Sequence, residues 1–240
     1  MRPDPAVEAA ASLARETFRY FWRELMWEHR RIVPALDMSA VKFGFSDPGE
    51  PALEYMWVTD VMFDGKVITG TLLNEPHELK TFREGQKIER PLADLYDWIY
   101  ASMGKAWGAI SVQQLRRQMS VDERVAHDDA WGLDFGEPGN LSIPGDPDEP
   151  DADHPMDVNM AVRLVEDIAK GEIKPNQVIA NGWTLLQSLS LGGAKACVQV
   201  LLDNGADPTR KAPNGMTPYD LAKSLTWTSL AELLRRKSDS

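Results

Sequence analysis

The chain has 240 residues, 43% of them hydrophobic, and a formal net charge of −11, so it can bury one large core or two small ones. No run approaches the ~18 uninterrupted apolar residues of a membrane span, and the opening MRPDPAVEAAASLARE lacks the basic head and apolar run of a secretory leader. A single cysteine, Cys197, cannot close an internal disulfide; a reducing, cytoplasmic setting is expected. The histidines His29, His77, His127 and His154 have no metal-ligand spacing, and no cofactor is expected.

In chain order, Ala9 to Arg31 reads as a helix. Leu13, Phe18, Phe21, Trp22, Leu25 and Met26 fall on one stripe, with Arg15, Glu16, Arg19, Arg23 and Glu24 mostly opposite. Strands follow at Ala40 to Phe45, Leu53 to Met62, Lys66 to Leu73 and Gln86 to Arg90, with turns at Asp64-Gly65 and Glu84-Gly85. Asp94 to Tyr100 reads as a helical turn and Lys105 to Ile110 as a last strand. Ser111 is the expected cap of a helix over Val112 to Met119. The class is α+β: an N-terminal helix and a curled antiparallel sheet over residues 1–120.

The stretch LLNEPHELKTFREGQKIERPLADLYDWIY, residues 72–100, holds the candidate chemistry. Glu75, His77 and Asp97 would suit general acid–base work of a hydrolase type. No nucleophile sits with a base at motif spacing, and there is no phosphate-cradling glycine loop. The alternative is a frame: Asn74, Glu75 and Pro76 end a strand, and Asp97 holds the turn that aims Trp98 inward. The frame is the reading preferred here, and no enzyme is expected.

Val41-Lys42, Glu54-Tyr55-Met56-Trp57-Val58, Gly70-Thr71-Leu72-Leu73-Asn74-Glu75-Pro76, Gly85-Gln86 and Asp97-Trp98-Ile99-Tyr100 occur in that order. Over residues 8–119 this set, with Phe21 and Trp22, resembles the bacterial family named domain of unknown function 2314. The resemblance implies a fold and a bacterial origin but no activity.

From Val121 to Met160 the chain carries twelve acids and one base, Arg124, which is the whole charge imbalance. Residues 121–156 are expected to form an acidic Pro/Asp-rich connector. Its segment GDPDEPDADHPMD offers Asp148, Glu149, Asp151 and Asp153 to a basic protein surface, or Asp146, Asp148, Asp151 and Asp153 to calcium. The sign excludes nucleic acid as a partner.

Residues 157–240 repeat. Asn181-Gly182-Trp183-Thr184 returns as Asn214-Gly215-Met216-Thr217, and each asparagine is 33 positions from its counterpart. The period and the later Asn204-Gly205-Ala206-Asp207-Pro208 resemble ankyrin repeats, two to three units with the first truncated to Val158–Lys170. Gly205 stands where a left-handed residue is needed. The resemblance implies an all-α stack that binds proteins. Trp183 and Met216 would point outward at the variable turn position, beside Arg210 and Lys211 on a turn tip. Together these features suggest an immunity protein occluding a basic toxin or effector. An adaptor or regulator is the alternative.

Overall fold

The chain's computed structural model describes residues 5–145 and 148–238. It divides into two units, Met1–Pro144 and Gly145–Ser240.

In the first unit, α1 (Pro5–Glu28) follows the apolar stripe. Phe18, Phe21, Trp22, Leu25 and Met26 are buried, and so is Trp27. Arg19 and Arg23 depart from the expected outward face: both are buried, with guanidinium carbons 4.9 and 5.3 Å from the centre of the Tyr20 ring. Their long stems lie along apolar surface while the charged heads stack on an aromatic face.

Among the described residues six strands make one antiparallel sheet: β1 (Met38–Phe45), β2 (Glu54–Phe63), β3 (Val67–Leu72), β4 (Lys87–Pro91), β5 (Leu95–Ser102) and β6 (Lys105–Gly108). Their spatial order is β4-β3-β2-β1-β5-β6. The sheet is open. The β6 edge is covered where the Ala106 and Gly108 amides donate to the carbonyls of Asp134 and Ser142. The β4 edge is short and carries Lys87, Glu89 and Pro91, which discourage further pairing.

The expected helical turn over 94–100 is instead strand β5, preceded by a short 3₁₀ turn at Leu92–Asp94. β5 lies between β1 and β6 and is buried on both faces, so its apolar run lacks the alternation that marks a strand. One face meets α1: Phe21 lies 5.7 Å from Trp98, and Trp98 Nε1 donates to Thr17 Oγ1 at 3.1 Å. The other face packs Ala40, Trp57 and Ile99 against Phe135 and Val112.

Helix α2 spans Ile110–Arg116, and its cap position is Ala109 in a left-handed conformation rather than Ser111. Residues 121–131, expected in the connector, form α3 (Val121–Trp131), opened by a Ser120–Glu123 capping box. Arg116 ties the segment down: its guanidinium pairs with both oxygens of Asp128 at 2.9 and 2.6 Å and donates to Gly136 O at 3.0 Å.

In the second unit the described residues form α4 (Pro155–Ala169), α5 (Leu185–Leu191), α6 (Lys195–Asp203), α7 (Pro218–Ser224) and α8 (Thr228–Ser238). α4 packs on α6 and α6 on α8, while α5 packs on α7. Leu164, Leu189, Cys197, Leu201, Leu221 and Leu234 are fully buried along these contacts.

Candidate functional site

The turns of the second unit carry the candidate interaction surface. Helices α5 and α7 start 33 positions apart, as do α6 and α8. The turn geometry repeats at the same interval. Ile179 N donates to Trp183 O at 2.6 Å, and Ala212 N donates to Met216 O at 2.8 Å. Gly182 and Gly215 hold φ of 80° and 84°. Thr184 with Gln187, and Thr217 with Asp220, each close a reciprocal capping box.

Neighbouring turns are stitched together by amides. Gln187 is fully buried; its Nε2 donates to Arg210 O at 2.8 Å. Asn176 Nδ2 donates to Gly205 O, and its Oδ1 accepts from Asp207 N, at 2.8 and 2.7 Å. Gly205 holds φ of 84° just past α6, the left-handed position expected of it.

Arg210 and Lys211 are exposed at the turn tip, and Trp183 is half-buried. Met216 does not point outward: it is 9% exposed and lies beside buried Ala212 and Pro218. A flexible thioether next to apolar neighbours folds in.

The acidic segment is divided in its duties. Asp148, Glu149 and Asp153 are exposed. Asp151 is half-buried, and its Oδ2 accepts the Ser229 amide at 2.8 Å, which caps α8. Asp157 is fully buried and caps α6 from α4: Oδ2 accepts from Ala196 N at 2.9 Å and Oδ1 from Cys197 N at 3.0 Å. Among the described residues no group of three or more His, Cys, Asp or Glu side chains could hold a metal ion. Asp146, one of the four acids of the calcium reading, lies outside the described residues.

The structure does not assemble Glu75, His77 and Asp97 into a site. Asp97 is fully buried on β5, and its oxygens accept from Trp98 N, Ile110 N, Ser111 N and Ser111 Oγ at 2.6 to 2.9 Å. Burial pushes its carboxyl up, and the Ser111, Ile110 and Trp98 donors pull it back. Glu75 and His77 are exposed in the loop after β3. β1 and β2 lie between β5 and β3, so at ~4.8 Å per strand spacing three steps separate them. Glu75 Oε2 accepts from Glu84 N at 2.9 Å, and Glu54 accepts the amides of His77 and Glu78 at 2.9 and 3.2 Å. Glu75 borders an open groove of about 510 Å³ whose lining includes neither His77 nor Asp97. Asn74 and Pro76 sit in the same loop, just beyond the end of β3 at Leu72, while Trp57 and Trp98 are core residues.

Residues 4–135 match the family described as "Uncharacterized protein conserved in bacteria (DUF2314)". The chain belongs to this family. The DUF2314 match takes in α3 and Phe135, the parts that Arg116 and the second sheet face anchor. The DUF2314 chain is also 37% identical over 236 residues to "Putative ankyrin repeat protein NMB1133/NMB1171" of Neisseria meningitidis serogroup B, covering 96% of this chain and 93% of the relative. It is 29% identical over 79 residues to "Uncharacterized protein YegJ" of Escherichia coli K12, covering 33% of this chain and 50% of that one. It is 42% identical over 72 residues to "Putative ankyrin repeat protein YahD" of the same organism, covering 28% of this chain and 36% of that one.

Proposed function

We propose that this chain is a non-enzymatic, cytoplasmic protein-binding protein whose C-terminal unit is a short ankyrin stack, and that it acts as an immunity protein. It sequesters one cognate toxin or effector and lies over that protein's working surface. The observation that carries the binding reading is the turn repeated at 33 positions, with the same hydrogen bond, the same left-handed glycine and the same capping box. Units of this kind bury their apolar stripes only by stacking, and the stack then presents its turn tips to a partner. The relatives with ankyrin in their names support the same reading.

The immunity reading rests on charge. Asp148, Glu149 and Asp153 are exposed acids in a chain of net charge −11, which favours a basic partner. Trp183 and the exposed Arg210 and Lys211 complete the proposed contact set. An adaptor or regulator would use the same surface on a harmless partner.

The test is affinity purification of the tagged full chain from its own bacterium at native level, followed by production of the partner alone. The expected result is one stoichiometric protein with a basic surface that stops growth unless this chain is present. Trp183→Ala is expected to weaken that complex by about tenfold or more. A stoichiometric partner without toxicity would leave the adaptor reading; the absence of any stable partner would end both.

A further inference from the structure

Lys42 lies on β1 between β2 and β5, on the sheet face away from α1. Its cross-strand neighbours are Trp57 and Asp97. Its Nζ sits 5.1 Å from the centre of the Trp57 ring and 5.7 Å from that of Tyr96. The chain register shifts beside it, between Lys42 and Phe43, and brings Tyr96 to within 4.0 Å of Tyr55, centre to centre. Lys42 is therefore a half-buried amine in an aromatic niche.

The opposed carboxylate does not bond this amine directly. Asp97 is the opposed residue in the register, but its oxygens are taken by the amides of Trp98, Ile110 and Ser111 and by the Ser111 hydroxyl. Among the described residues Lys42 Nζ has neither an ion pair nor a hydrogen bond. Lys105 makes the instructive contrast: its Nζ is 4.5 Å from the Trp107 ring, but the residue is exposed.

We propose that Lys42 is a nucleophilic amine, and that it is a site of acylation by activated acyl groups such as acyl phosphates or acyl thioesters. The proposal is independent of the protein-binding reading. The neutral amine attacks the acyl carbon and a C–N bond forms. The C–O or C–S bond breaks, phosphate or thiolate leaves with the electron pair, and the ammonium proton goes to water or to the leaving group. The product is an uncharged amide, so acylation removes a half-buried charge that no direct ion pair or hydrogen bond satisfies.

The electrostatics agree with the geometry. Burial pushes the Lys42 ammonium below its ordinary range, and Asp97 opposes that shift. Besides Asp97, the flanking strands β2 and β5 carry Glu54, Tyr55, Asp60, Tyr96 and Tyr100, and of these Tyr96 and its stacking partner Tyr55 border the niche. Burial pushes the Tyr96 phenol up, so it stays neutral beside the amine.

The experiment treats the full chain with acetyl phosphate across pH 6 to 10, with acetylation at each lysine followed by mass spectrometry. Lys42 is expected to reach half its maximal rate at a lower pH than Lys105, and to exceed the Lys105 rate by at least about twofold at neutral pH. Tyr96→Leu, checked for folding by circular dichroism, opens the niche to water and is expected to move the Lys42 midpoint up toward that of Lys105. A Lys42 midpoint equal to or above that of Lys105 in the unaltered protein would overturn the proposal, as would a midpoint that Tyr96→Leu leaves in place.

Discussion

Asp157 and Cys197 are forty positions apart and joined at a helix start: Asp157 Oδ1 accepts the Cys197 amide at 3.0 Å, and Cys197 Sγ donates back to Asp157 O at 3.4 Å. The first turn of α6 has no cap of its own, since Ala194 stands at its cap position. A carboxylate from α4 supplies it. The same device recurs where Asp97 holds the start of α2 and where Asp151 holds that of α8.

Replacing Asp157 with Ala therefore strands one buried amide and one part-buried amide. The expected loss is about 2–4 kcal/mol of stability in the C-terminal unit, with Asp157→Asn milder because one oxygen can still accept. Denaturant unfolding followed by the fluorescence of Trp227, buried in the same unit, measures it.

Asp97 offers a sharper comparison with the catalytic alternative. Asp97→Ala leaves four donors without acceptors and is expected to cost about 3–5 kcal/mol. Glu75→Gln and His77→Ala, both on exposed side chains, are expected to change stability by less than about 0.5 kcal/mol. Equal costs at all three positions, measured by thermal unfolding, would contradict this assignment of roles.

The loop between β3 and β4 should respond to acid. Asp47 accepts from Thr81 Oγ1 and from the Lys80 and Thr81 amides, and Glu54 accepts from the His77 and Glu78 amides. These donors hold both carboxyls below their ordinary values of 3.8 and 4.5. The folded values lie below the unfolded ones, so the contribution is fully present above the ordinary values and is lost as pH falls through the depressed ones. Amide resonances of His77, Glu78, Lys80 and Thr81 are expected to shift together below those values, ahead of the sheet amides.

Gly193 is a steric requirement. Its φ is +73°, and a Cβ built there would press on the Trp227 ring. Trp227 is 2% exposed and its Nε1 donates to Leu191 O at 3.2 Å, so it has little room to move. Gly193→Ala is expected to destabilise the C-terminal unit by about 2–4 kcal/mol, from left-handed strain and overpacking together. Gly205→Ala, with open space around its Cβ, carries the strain alone and is expected to cost less, about 1 kcal/mol. Thermal unfolding of the two variants separates these contributions.

Arg116 anchors α3 through Asp128. Arg116 is 3% exposed and binds Asp128, Gln113 and Gly136 at once. Arg116→Ala is expected to cost about 3–5 kcal/mol, because it leaves Asp128 without its cation and Gly136 O without its donor. Hydrogen exchange over residues 121–135 should rise more than over β1 or β5.

By itself the sequence determined the elements whose signal is local. The stripe of α1, the Asp64-Gly65 turn, the strands around it and the two Asn-Gly-x-Thr turns all depend on residues within a few positions of each other. The repeat at 33 positions is legible for a related reason: each of its units carries the same local signal. The tertiary structure alone decided what depends on distant partners. β5 is a strand because β1 and β6 pair with it, although its doubly buried run shows no alternation. In sequence Asp97 reads as the holder of its own local turn, with a general acid as the alternative, and Asp151 and Asp157 read as members of an acidic run, yet each closes a helix start in another segment. Met216 turned inward for the same kind of reason: composition assigns a side chain its chemistry, but only the folded chain supplies its neighbours.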